Sequence, residues 1–185
     1  KVYEVQIQAN VAQNQSQQAL TMALKLLKQL GVHFPEQPSH SDIQNALLET
    51  ASYWHGKQIE DLRDLPLMTA PDKLVIMRLL SKVAVAAYIA LPELYPLIIT
   101  KLVSLSLTHG NAEESSFGYV GYGLLLCAIV EDIEAGFKFG QLALTLVEQL
   151  NAKSLQAKIA DVVEFAIRHW KEHLKSTLKP LLEDV

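Results

Sequence analysis

The chain has 185 residues and a formal charge of −4, with half of its residues hydrophobic and 19% charged. That balance excludes a disordered segment. It also removes any electrostatic reason to expect a nucleic-acid partner, because the basic residues gather only at Lys171, Lys175 and Lys179. A chain of this size buries roughly 70% of its unfolded surface, so its core needs neither disulfides nor a metal.

Val2, Val5, Ala9 and Ala12 stand at helical spacing, and residues 1–13 read as a helix already under way where the sequence begins. The chain is therefore expected to be a piece of a larger protein. Leu20, Ala23, Leu24, Leu27 and Leu30 stripe a second helix from about Ser16 to Leu30, and Gly31 follows as its terminator. Pro35 and Pro38 mark a loop, and Ser41 is the expected cap of a third helix carrying Ile43, Ala46, Leu47 and Tyr53. Residues 56–71 hold the weakest pattern, opened by Gly56 and closed by Pro66 and Pro71. Leu62, Leu65, Leu67 and Met68 are costly to leave wet, so this stretch reads as a structured connector.

From Pro71 the helices lengthen. Leu74, Met77, Leu80, Val83, Ala84 and Ala87 stripe a helix over 72–90. Pro92 sits at the first turn of the next, which is expected to become regular after Pro96 and to stop at Gly110-Asn111. Ser115 or Ser116 is the expected start of the following helix, through Tyr119, Tyr122, Leu125 and Ile129. Ile133, Phe137, Gly140, Leu144, Val147 and Leu150 stripe another, ended by Asn151. Ser154 is the expected cap of a helix burying Leu155, Ile159, Val162, Ala166 and Trp170, and a short helix is expected over 174–182. No segment alternates with period two, so the fold is expected to be all-α. It divides into N-terminal helices over 1–55, the connector, and long-helix hairpins over 72–185, together one domain.

Two apolar stretches resemble membrane spans but are too short. Val83–Leu91 has nine residues and Phe117–Val130 has 14, against the ~20 a span needs. Both read as buried helices, and no membrane partner is expected. The lone Cys127 makes no internal disulfide, and no signal peptide is read at the start, so a cytoplasmic setting is expected. With no His or Lys within one turn, Cys127 reads as a small buried hydrophobe.

Hairpins recur about every 35–40 residues, over 76–109, 115–150 and from 154 onward, which is the period of helical-repeat arrays. Gly118, Gly121 and Gly123 on one helix and Gly136, Gly140 and Ala143 on the next demand a reason, because glycine costs about 1 kcal/mol in a helix interior. Close helix approach supplies it, with Tyr119, Tyr122 and Phe137 filling the neighbouring holes. Small residue, aromatic and Ala-Leu in this order suit stacked antiparallel hairpins in a tetratricopeptide-like right-handed superhelix.

No catalytic constellation stands out. The glycines of 118–123 follow no strand and lack the Lys-Ser/Thr of a phosphate loop. His169 and His173 are four apart, but without a Glu beside the first they do not form a zinc-protease motif, and surface histidines are the expected reading. Glu113-Glu114 suit a helix start. No cofactor, metal or catalytic residue is expected. The curvature of a solenoid leaves a concave groove in which a small molecule or peptide could sit.

Several segments are similar to one bacterial family. They are Asp61-Leu62 with Leu65-Pro66-Leu67-Met68, the run 102–111 ending in His109-Gly110-Asn111, the run 115–123 containing Phe117-Gly118-Tyr119, Gly136-Phe137-Lys138-Phe139-Gly140, and His169-Trp170-Lys171. Together they resemble the tetratricopeptide-like region of giant multidomain sensor kinases, above all those of cyanobacteria. In that family a Ser/Thr-kinase-like domain and a signal-transduction ATPase precede the helical region, with GAF sensor and histidine kinase modules after it. The resemblance implies a non-catalytic module that regulates kinase or ATPase output through protein contacts. The implied partners are those flanking domains, another protein, or a second copy of the chain.

Overall fold

Helix boundaries follow the chemistry of the residues at their ends. The computed structural model describes residues 2–171, and these form eight α-helices. They are α1 (Val2–Ala12), α2 (Ser16–Gln29), α3 (His40–Trp54), α4 (Pro71–Ala90), α5 (Leu94–His109), α6 (Glu113–Leu125), α7 (Ile133–Gln149) and α8 (Lys153–Val162). A 3₁₀ turn spans Ile59–Asp64, and π turns extend α6 over Leu126–Val130 and α8 over Val163–Ile167. Among the described residues the only strand-like pairing is an isolated parallel bridge between Leu67 and Asn111. None of these helices is long and apolar enough to cross a membrane. The chain is all-α over this range. The short helix expected over 174–182 lies outside it.

Caps correct three expected boundaries. Ser39, not Ser41, starts α3: its hydroxyl accepts the Asp42 N–H at 3.2 Å while the Asp42 carboxylate accepts the Ser39 N–H at 2.8 Å. Ser41 faces only the neutral Gln44 three residues on, whereas Asp42 adds a charge that the helix dipole favours. Helix α6 begins at Glu113, ahead of Ser115, whose hydroxyl accepts the Ala112 N–H at 2.9 Å from within the first turn. Helix α8 begins at Lys153, one residue before Ser154, because Asn151 takes the left-handed conformation that turns the chain. Pro96 falls in the first turn of α5, where its missing N–H is needed by no partner, and α5 is regular from Leu94.

Helices α4 and α5 form one antiparallel hairpin and α6 and α7 another; α6 packs on α5, α4 and α8 as well. Gly118 abuts Leu102 and Gly121 abuts Ile99, so α6 runs against α5. Surrounded on all sides, α6 buries every residue from Ser115 to Gly123. The N-terminal helices join differently. Helix α2 packs on α4 and α3 on α5. Thr50 meets Ser104, and Trp54, one turn later, meets Tyr122, which follows Gly121 opposite Ile99. Helix α3 therefore points opposite to α5. The chain must travel back along the fold before α4 can start, and residues 55–70 make that return, with the 3₁₀ turn lying on α7.

Several expected stripes are rotated. On α1, Ile7 is fully buried and Val5 is exposed. On α7, Phe139 rather than Phe137 is fully buried, because Gly136 and Gly140 set the contact face and Phe139 flanks it. On α8 and its π turn the buried hydrophobic residues are Ile159, Val163 and Ile167. The π turn at 163–167 closes i to i+5 and carries more residues per turn, so a spacing of four tracks one face. Trp170 is turned outward in consequence, 45% exposed and against the His169 ring, and is not a packing residue. Leu67 is exposed while Met68 is buried; the bridge to Asn111 fixes the backbone and leaves Leu67 facing out.

The glycines decide how close the helices come. A Cβ on Gly123 would stand 2.7 Å from the Gly136 carbonyl oxygen, and one on Gly136 would overlap Cys127 Sγ. Gly123→Ala should lower stability by about 1–3 kcal/mol through overpacking, although helix propensity alone favours alanine by about 1 kcal/mol. Urea unfolding with an unchanged slope measures it, and a raised midpoint would contradict the close crossing.

Candidate functional site

Four aromatic rings meet where α3, α6 and α7 converge. Phe139 takes Tyr122 edge-on at 5.0 Å, Trp54 edge-on at 5.4 Å and Tyr119 at 5.9 Å between centroids. Such pairs each add about 0.5–1.5 kcal/mol beyond area burial. Trp54 Nε1 donates to the Tyr122 hydroxyl at 3.4 Å. Of the residues singled out from sequence, Gly118, Tyr119, Gly121, Tyr122, Gly123, Gly136, Gly140 and Ala143 are all buried in this interior. Phe137 is half-buried on the outer side of α7, with the Lys171 ammonium 4.7 Å from its ring centroid.

Asn111 organises the polar part of the interior. Its side-chain N–H donates to the Leu62 carbonyl at 2.8 Å, and its side-chain oxygen accepts the Tyr119 hydroxyl at 3.0 Å. Its backbone N–H donates to Pro66 at 2.8 Å and its carbonyl accepts the Met68 N–H at 2.8 Å. Gly110, just before it, has φ +96° and passes so close to the Pro66 carbonyl that no Cβ fits. In the sequence Gly110-Asn111 reads as a helix stop and nothing more. Its role as a clasp depends on a partner 49 residues away.

Other candidates occupy ordinary places. Burial pushes the Cys127 thiol up, with the Asp132 charge adding to it, so this is not an activated thiolate. Burial likewise raises Glu114, partly offset by a backbone hydrogen bond and by Arg78. His169 is exposed, His173 lies outside the described residues, and no group of three His, Cys, Asp or Glu that could hold a metal occurs among those described.

The most chemically varied concavity is a groove of about 440 Å³ between α3 and α5. Asp42, Asn45, Glu49, Thr50 and Tyr53 line it from α3, and Thr100, Lys101, Ser104 and Thr108 line it from α5. The α5 hydroxyls recur every four residues, each donating to its own helix: Thr100 to Pro96 at 2.9 Å, Ser104 to Thr100 at 2.8 Å and Thr108 to Ser104 at 2.6 Å. This polar stripe in an otherwise apolar helix was visible in the sequence, but the α3 wall opposite it was not. Comparison with family models, with curated proteins and with solved structures finds no match to this chain.

Two expectations follow from the interior. Asn111→Ala takes the Asn111 acceptor from the Tyr119 hydroxyl and leaves the Leu62 carbonyl only the Leu65 N–H at 3.4 Å, and should cost about 1–3 kcal/mol in urea unfolding. Loss of less than half that would mean the clasp is dispensable. Burial also raises Tyr119 and Tyr122, and with the help of nearby Tyr88 pushes Tyr95 up to about 12. A folded pKa above the unfolded value of about 10 gives stability that is complete below pH 10 and lost as pH rises toward 12. Helix content by circular dichroism should fall together with a step in tyrosinate absorbance over that window. Tyrosinate absorbance that grows smoothly from pH 9 while the helices persist would show that these phenols are reachable in the folded state.

Proposed function

We propose that this chain is a non-catalytic, tetratricopeptide-like helical-repeat module of a cytoplasmic multidomain signal-transduction kinase. It acts by contacts with flanking kinase, ATPase or GAF domains, or with a partner protein, and so regulates kinase output. The observation that carries this reading is the stacking of α4–α5, α6–α7 and α8, in which α4, α6 and α8 pack successively and α6 is buried from Ser115 to Gly123. The segments that carry the family resemblance supply further support. Leu65–Met68, Gly110-Asn111, 115–123 and Gly136–Gly140 are largely the residues of the clasp and the glycine crossing, a scheme of packing rather than of chemistry. A second reading, as a ligand-sensing domain, is favoured by the α3–α5 groove, which combines both charges with hydroxyls.

The purified chain should hydrolyse no ATP and phosphorylate no substrate. In the full-length parent, Gly136→Leu should change how autophosphorylation responds to stimulus while nucleotide binding by the catalytic domains is retained. ATP hydrolysis by the chain alone would overturn the proposal, as would an unaltered response when the array has lost its helical signal.

A further inference from the structure

Glu49 and Lys101 line one groove from opposite walls, yet neither is in an ion pair among the described residues. We infer that the gap between them is a site for a small zwitterion, an α-amino acid or a di- or tripeptide. Its ammonium would sit against Glu49 and the groove hydroxyls, and its carboxylate against Lys101. This rests on the ligand-sensing reading of the groove and names its ligand class.

Besides His33 and His109 at its rim, the groove has two other charged groups, and both are committed. Asp42 accepts from the backbone and side chain of Ser39, and Lys73 pairs with Asp72 at 3.0 Å. Glu49 accepts only the Tyr53 hydroxyl, at 3.1 Å, through its side chain, which leaves most of a carboxylate's acceptor capacity open. Because α3 runs against α5 and Thr50 meets Ser104, Glu49 and Lys101 flank that contact from opposite sides.

The hydroxyls set the polarity of the cradle. Thr50 gives its proton to the Ala46 carbonyl at 2.8 Å and Ser104 gives its own to Thr100 at 2.8 Å. The two oxygens lie 3.3 Å apart, and whichever way their protons turn each keeps a lone pair for the groove. Acceptor oxygens beside a carboxylate suit an ammonium with three N–H donors, and the lysine ammonium suits a carboxylate. A ligand with one charge leaves the opposite wall without a partner, so the site discriminates against it. The groove's volume falls within the range of small-molecule sites, about 300–1,000 Å³.

The test titrates the ¹⁵N-labelled chain with the twenty standard amino acids, Ala-Ala and Ala-Ala-Ala, and then with the N-acetylated and C-amidated forms of the tightest binder. At least one zwitterion should shift amides around Thr50 and Ser104, and the panel separates free amino acids from short peptides. Acetylation and amidation should each weaken binding by about tenfold or more, as should Glu49→Gln and Lys101→Met. The exchange of both charges, Glu49→Lys with Lys101→Glu, should restore much of the affinity by accepting the ligand reversed. No groove shift with any probe would overturn the proposal. Acetylated or amidated forms binding equally well would also overturn it, while leaving a ligand-sensing groove of another class. If a single variant loses its fold, the modified ligands on the wild-type chain decide alone.

Discussion

At Gly123 and Gly136 the helices α6 and α7 meet backbone to backbone, and the rest of the interior is arranged around that crossing. A side chain on either residue would strike a carbonyl oxygen that cannot swing aside. The close approach brings Phe139 level with Tyr119 and Tyr122, and so creates the recess that Trp54 enters from α3. Ile167 then reaches the two helices from α8, within van der Waals distance of where Cβ atoms on Gly123 and Gly140 would stand. Without the glycines these rings would be held apart, and α3 and α8 would lose the surfaces on which they rest.

The connector supplies the second level of organisation. Its irregular backbone is tolerable beside the core because Asn111 pairs with the Leu62 and Pro66 carbonyls and the Met68 N–H, as buried polar groups require. Lys138 adds an ion pair to Glu60 at 3.2 Å, and Gln149 donates to Arg63 at 3.4 Å, so the segment is tied to α7 along its course. The ion pair is exposed and adds little to stability. The buried hydrogen bonds are what hold the segment in place.

Much of the helical architecture was legible in the sequence because helix stripes and stops are local. Gly31, Asn151 and the run from Leu74 to Ala87 each mark what their residue types imply. The glycine crossing was legible too, since five glycines in two helices are too costly unless backbones must come close there. Phase was harder. Phe137 and Phe139 both fit a helical stripe, and the face that Gly136 and Gly140 press on α6 decides which ring goes inside. The π turn at 163–167 has no sequence mark, so the face leading to Trp170 could not be followed. The groove escaped because its walls come from helices far apart in the chain, and period alone does not say that α3 opposes α5.

The reversed docking of α3 also changes how the molecule comes together. In an ordinary solenoid each unit touches its neighbours, so contacts stay short in sequence and ends fray independently. Here hydrogen bonds join residues 49, 68 and 86 positions apart, all starting in the return segment or spanning it. Such contacts raise the contact order and slow folding, because a long loop must close before they form. Trp54 also ties α3 to the α6–α7 hairpin, through the Tyr122 hydroxyl and the Phe139 ring. The return segment thereby makes the placing of α3 depend on helices far along the chain.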